Sequence, residues 1–297
     1  MIHQLLSNAL KKAKVLPLNK DTKYILFSDL HKGNNSYADD FSQNMRIYKS
    51  ALHHYYRNGF TYIELGDGIE LWENRKIEPI LKAHKIIFDL LADFHKQKRL
   101  HLIYGNHDMI FRYPWFVKKM LGKVLPNLTY YESILLQTEH VHENILLLHG
   151  HQADYMNYLF WWLNRFLVRY VWKPLQYLGV KDPTSPAKNT KERDKVESRM
   201  EKWIVNNNQA VVFGHTHRPV FPISASLDMT SGLLSRTKEN HKLSKNEPPM
   251  FNTGSCVHPD AIIGIEIENM KIAMVKWHYN KKGSEIIKEY LEAPVGL

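Results

Sequence analysis

Five apolar runs in this chain each end in residues that bind metals. YILFS leads into Asp29-Leu30-His31, FTYIEL into Gly66-Asp67, and LHLIY into Gly105-Asn106-His107-Asp108. NILLL leads into His149-Gly150-His151, and AVVF into Gly214-His215-Thr216-His217. Short apolar, β-branched runs bounded by Gly and Asp read as strands. The repetition constrains the fold more than any one motif. Several parallel or mixed strands must deliver Asp, Asn and His from their C-terminal ends to one edge of a sheet, where open α/β folds put their sites. Carboxylate, amide and imidazole without thiolate are the ligands of a hard-to-borderline divalent metal pair.

Between these runs the pattern turns helical. Phe41, Met45, Tyr48, Leu52 and Tyr55 predict a helix over 40–58, and Ile80, Leu81, Ile87, Leu90, Leu91 and Phe94 predict one over 78–96. Ile2, Leu5, Leu6, Ala9, Leu10 and Ala13 fall on one face of an N-terminal helix, and no signal peptide is read there. Strand–helix alternation predicts a layered α/β fold, and 297 residues suit one large domain, 1–297, with an insertion. The insertion is predicted over 152–208: an aromatic stretch, a Pro/Ser/Thr turn region and a charged helical run. Residues 221–249 read as a long loop. AIIGIEIE and IAMVKWHY, joined by a turn at 269–271, read as a β-hairpin.

Each motif has a bland reading. Asp29 and His31 share a face at a strand end, but D-x-H also arises from a capping Asp and a surface His. Asp67 between two glycines can bridge two cations with its two oxygens, or simply sit in a turn. Asn106 offers a neutral oxygen. His107 can present a ring N–H to a phosphoryl or leaving oxygen, and Asp108 can orient that ring. The bland readings would have to recur independently at five strand ends. The one cysteine, Cys256, excludes a disulfide framework and a Cys-rich zinc site, and fits a reducing cytoplasm.

The ordered set D-x-H, G-D, G-N-H-D, H-G-H and G-H-T-H, with Asn252-Thr253-Gly254-Ser255 later, resembles the calcineurin-like metallophosphoesterase superfamily. The resemblance implies a four-layer α/β/β/α sandwich with a helical insertion near the active site, rather than one open sheet. It implies two divalent metals, manganese foremost, with iron or zinc as options. Asp29, His31, Asp67 and His217 would hold one; Asp67, Asn106, His149 and His215 would hold the other, sharing Asp67. His107 would act near the leaving oxygen with Asp108 behind it, and a metal-bridging hydroxide would attack phosphorus. His151 falls outside this set. A non-catalytic scaffold of the same fold is the contrary expectation, and such scaffolds usually lose ligands, whereas every ligand position is filled here.

Substrate has to be sought in the insertion. Aromatic and aliphatic residues from Tyr155 to Trp172 cover most of a helix, interrupted by Arg165 and Arg169, too short and too charged to span a membrane. A lid packed on the core is one expectation. An interfacial lid that meets acyl chains and headgroup phosphates through Trp162, Arg165 and Arg169 is the other. Residues 165–202 hold ten Lys/Arg and five Asp/Glu, so +5 of the chain's net +10 lies there. The insertion is similar to that of UDP-2,3-diacylglucosamine hydrolases, which implies a lipid-linked or nucleotide-linked pyrophosphate and a peripheral membrane contact. Two departures stand against that branch: His107 where an Arg is typical, and His149-Gly150-His151 where H-G-D is typical. Soluble phosphodiesterases, nucleases and protein phosphatases share the GNHD form, and the basic surface also suits nucleic acid. Glu70, Trp72 and Glu73 either line the groove or start the next helix.

Overall fold

The computed structural model describes residues 1–36, 39–139, 144–154, 158, 161–168, 189–222, 227–228, 235–236 and 248–297. The chain opens with α1 (Ile2–Lys11), β1 (Lys14–Pro17) and β2 (Lys23–Phe27), followed by α2 (Met45–Arg57), β3 (Thr61–Leu65), α3 (Glu78–Ala83), α4 (Lys85–Lys96) and β4 (Leu100–Ile103). Next come α5 (Pro114–Leu121), β5 (Tyr130–Tyr131), β6 (Ser133–Gln137), β7 (Ile145–Leu148), α6 (Trp161–Leu167), α7 (Thr190–Asn207), β8 (Ala210–Phe213) and β9 (Pro219–Val220). Two-residue strands β10 (Leu227–Asp228) and β11 (Ser235–Arg236) pair with each other. The chain ends with β12 (Met250–Thr253), β13 (Ala261–Glu268), β14 (Lys271–Tyr279) and β15 (Ile286–Gly296).

The strands form two large sheets. One runs β15-β14-β13-β2-β3-β4-β5, the other β1-β6-β7-β8-β12-β9. β2, β3 and β4 are parallel neighbours, as are β7 and β8. The five apolar runs are these five strands, so their C-terminal ends converge from both sheets rather than from one.

The period-2 alternation of each strand divides its side chains between two cores. Ile25, Phe27, Tyr62 and Leu102 point to a layer of helices that includes Tyr48, Leu52, Leu91 and Phe94. Leu26, Ile63, Leu65 and Ile103 point the other way and meet Ile145, Leu147 and Val212 of the second sheet. The alternate residues Leu146, Leu148, Val211 and Phe213 pack on Leu6 of α1 and on Val196, Met200, Trp203 and Ile204 of α7. The layering is helix, sheet, sheet, helix, as the sequence resemblance implies.

Local departures have physical causes. The helix predicted over 78–96 is broken at His84, whose buried ring bonds Asp39 Oδ2 at 2.9 Å and whose backbone leaves the helical region at φ −109°. The helix over 40–58 begins as a 3-10 turn at Ser42–Asn44. The charged run within 152–208 is α7, capped by the Asn189 side chain, and its apolar stripe belongs to the outer layer on the second sheet. The hairpin β13–β14 is present, with β15 added as a mostly exposed edge strand. No described helix is long and apolar enough to cross a membrane.

Candidate metal centre

Each donor sits where a strand stops, and the backbone there is unusual. Asp29, His31, Asp67, His215 and His217 all have positive φ, between 49° and 66°. A non-glycine residue in the left-handed region costs about 1 kcal/mol or more and persists only where its surroundings fix it. Here they do. Asp29 N–H donates to Gly66 O at 3.1 Å, His31 N–H to Asp67 O at 2.8 Å, and Gly214 N–H to His149 O at 2.9 Å. Glycines permit the approach. Gly66 lies at φ +88°, and a Cβ on it would come within 2.6 Å of the His149 ring; one on Gly105 would overlap Asp67 Oδ1.

Hydrogen bonds then settle which atom of each donor is available. Asp29 Oδ2 accepts from the Ser28 hydroxyl and from His215 N–H (2.9 Å), while Asp29 Oδ1 is buried and accepts none. Asp67 Oδ1 accepts His107 N–H at 2.8 Å, leaving Oδ2 3.2 Å from His149 Nε2 and 3.8 Å from His31 Nε2. His149 Nδ1 bonds the Leu65 carbonyl at 2.8 Å, which makes Nδ1 the N–H and turns Nε2 toward Asp67 and toward Asn106 Oδ1 at 3.2 Å. His31 Nδ1 is held by Glu70 at 2.9 Å, and its Nε2 faces His217 Nε2 at 3.3 Å.

Donor atoms gather in overlapping groups: Asp29, His31 and His217; Asp67, His149 and His215; and His31, Asp67 and His107, each within 4.8 Å. Lone pairs and carboxylate oxygens facing each other at these distances fit cations. Asp29 Oδ1, which accepts no hydrogen bond but lies 3.1 Å from His217 Nε2, and the opposed ring nitrogens of His31 and His217 are groups a divalent ion would satisfy. The electrostatics agree. Burial pushes the Asp67 carboxyl up, but His149, His107 and His31 outweigh it and hold it well below the carboxylate range. Burial likewise opposes, and His217 and His149 prevail, at Asp29, which is held at about 2. Burial lowers the His149 pKa, yet the Asp67 carboxylate lifts it to about 9. All seven residues expected as ligands, Asp29, His31, Asp67, Asn106, His149, His215 and His217, therefore converge.

His107 is beside them, but its support differs from the sequence expectation. Asp108 does not stand behind its ring. Asp108 instead accepts N–H groups from Gly105 (2.6 Å), Gly68 (3.0 Å) and Ile69 (3.3 Å), tying the third motif loop to the second. Burial and the Asp67 charge push its carboxyl up to about 7. The His107 ring is held by Glu70 Oε2 at 2.7 Å, the same oxygen that holds His31, and Trp72 stacks on it at 4.1 Å. Burial opposes charge on His107, but Glu70 and Asp67 raise it to about 10. Glu70 Oε1 also accepts the Trp72 and Glu73 N–H groups at 3.0 and 3.2 Å, closing a turn at 71–73, while the next helix starts only at Glu78.

Two supports were not anticipated. Glu197 of α7 accepts from Thr216 Oγ1 at 2.9 Å and pairs with Arg218, bracing the GHTH turn. Its signal is an acid set among Val196, Met200 and Ile204 on the apolar stripe of a charged helix. Asn252 donates to Gly214 O and Thr216 Oγ1, both at 2.9 Å. His151 is buried, stacks on Tyr158 at 5.8 Å, and neither ring nitrogen has a hydrogen-bond partner. Of the expected substrate contacts, Trp162 is 59% exposed on α6. Arg169 and the side chain of Arg165 lie outside the described residues.

Comparison with known proteins agrees with this geometry. Some solved structures are similar at a low level. Vacuolar protein sorting 29 from Cryptosporidium parvum is 13% identical, with 92% of this chain and 98% of that one covered and a TM-score of 0.37. A single mutant of the Entamoeba histolytica protein of that name is 13% identical, with 92% and 99% covered and a TM-score of 0.40. Likenesses at that level carry no argument about function. No curated protein matches significantly. The sequence profile of calcineurin-like phosphoesterases matches residues 22–219, which takes in every donor from Asp29 to His217. The chain belongs to the calcineurin-like phosphoesterase family, a superfamily of metal-binding hydrolases.

Proposed function

We propose that the chain is a metal-dependent phosphoester hydrolase with two divalent cations. Asp29, His31, Asp67 and His217 hold one; Asp67, Asn106, His149 and His215 hold the other. The observation that carries this reading is Asp67: one oxygen is pinned by the His107 N–H, and the other faces His149 at 3.2 Å and His31 at 3.8 Å. Bound there, the cations supply Lewis acidity toward phosphoryl oxygens and make water a better nucleophile near neutral pH. Manganese is the proposed metal, and the oxygen and nitrogen donors also suit iron or zinc.

The chain's own groups do the remaining work. Leu65 O and Glu70 hold His149 and His31 by Nδ1, so each turns Nε2 inward. His107, fixed by Glu70 and Trp72, keeps Nε2 for the phosphoryl or leaving oxygen and in its charged form can give it a proton. Asp108 acts through the loops it ties and touches no reacting atom.

The proposed substrate is a lipid-linked or nucleotide-linked pyrophosphate or diester, met by Trp162, Arg165 and Arg169. Support comes from α6, where Trp162, Leu163, Phe166 and Leu167 are all exposed. A cytoplasmic setting, with the catalytic face toward the membrane, belongs to the same reading. The test is manganese-loaded protein assayed against a phosphomonoester, a soluble phosphodiester and UDP-diacylglucosamine in detergent. The lipid pyrophosphate should be cleaved, more slowly after Trp162→Ala. Cleavage of soluble esters alone, indifferent to Trp162, overturns the lipid substrate and favours a soluble phosphodiesterase, nuclease or protein phosphatase. Two bound metals with no hydrolysis of any ester overturn the enzyme and leave a metal-binding scaffold.

A further inference from the structure

The segment that follows the GNHD loop is cationic throughout. Residues 109–131 contain Arg112, Lys118, Lys119 and Lys123 and no Asp or Glu. Met109 and Phe111 are buried, anchoring the segment to the core directly after Asp108. Pro114 then starts α5, which buries Val117 and Leu121 on one side. The opposite side carries Trp115 with Lys118 and Lys119 at helical spacing, all exposed. Trp115 is 61% exposed and Tyr113 beside it 48%.

Tyr113 and Trp115 both pack on Phe116, with ring centres 6.4 and 4.5 Å apart, so they form a contiguous aromatic cluster rather than scattered apolar residues. The cations are arranged around them: Lys119 Nζ lies 4.8 Å from the Trp115 ring centre, and the Arg112 guanidinium 5.3 Å from that of Tyr113. Trp and Tyr with basic side chains beside their rings are the chemistry of a bilayer's headgroup zone.

We infer that Arg112, Tyr113, Trp115, Lys118 and Lys119 form a docking surface for an anionic lipid bilayer, rigidly joined to the His107 loop. The surface holds the metal centre at the membrane whether the ester cleaved is lipid-linked or soluble, so it does not depend on the proposed substrate. Each cation adds to binding and each is screened by salt.

The test is co-sedimentation of the full chain with vesicles of phosphatidylglycerol and phosphatidylcholine, one part to three, and with phosphatidylcholine alone. The chain should bind the anionic vesicles and be released by about 0.5 M salt. Lys118→Glu with Lys119→Glu should weaken binding about tenfold or more, and Trp115→Ser about tenfold. Lys281→Glu with Lys282→Glu makes the same charge change at the β14–β15 turn, at the other end of the sheet's strand order from β5, and should leave binding within about twofold. Hydrolysis of bis(p-nitrophenyl) phosphate by the same samples reports the metal chemistry separately. No binding to anionic vesicles, equal losses from both lysine pairs, or α5-dependent binding of single-stranded RNA in place of vesicles overturns the docking surface, even if the soluble diester is cleaved.

Discussion

The two donor groups that meet at Asp67 differ in depth. His149 and His215 have side chains 0% and 3% exposed, and each is enclosed by the ends of β7 and β8. His217 and His107 are 20% and 22% exposed, and His31 joins them at the opening. The deep group is fixed through backbone: His149 on Leu65 O, Asp67 on His107 N–H, Gly214 N–H on His149 O. In the outer group one Glu70 oxygen holds the rings of both His31 and His107, while His217 Nε2 lies 3.1 Å from Asp29 Oδ1. A buried inner donor group thus underlies an outer one that is open to solvent and adjoins the proposed proton donor, and in the proposed hydrolysis a phosphoester would arrive from the outer side.

That contrast can be broken by unequal substitutions. His149→Ala removes a buried donor and leaves Asp67 Oδ2 facing Asn106 with no ring between them. Activity should fall on the order of 10³-fold, the several kcal/mol that a metal contributes, and excess manganese should not restore it. His217→Ala should cost less, and excess manganese should recover part of the rate. Steady-state assays across manganese concentrations check both; equal losses and equal rescue would erase the difference in depth.

Glu70→Gln gives a smaller effect with a more specific signature. The amide keeps the shape but cannot accept from both rings with the charge of a carboxylate. About 10–100-fold loss in kcat is expected, the range for a group that orients a ligand from behind. KM for a soluble diester should change little, and the outer ion should be lost first on titration with a chelator. A purely structural role for Glu70 would instead lower the melting temperature and leave metal release unchanged.

The donors were legible because each follows an apolar strand, and strand ends in a layered α/β fold converge. The carboxylate behind the His107 ring was not. Asp108 is adjacent to His107 in sequence, but residue 107 points into the site while Asp108 turns back to three backbone N–H groups. Only the fold of the Gly66–Glu70 loop brings Glu70 under both histidines. The break at His84 escaped the apolar periodicity because it arises from a contact with Asp39, 45 residues away. β15 escaped because an exposed edge strand shows weak alternation, and its Pro294 reads against a strand. Glu197 was hidden in a charged run until the face on which it lies was known.

Asp67 is proposed to serve both cation sites. Metal content should be measured after manganese loading and gel filtration, on the wild-type chain and on Asp67→Ala. The wild type should hold about two ions per chain, and Asp67→Ala one or fewer while staying folded, as expected when one carboxylate serves both sites. Two ions retained by Asp67→Ala, or a wild type that holds a single ion at saturation, would contradict the shared centre.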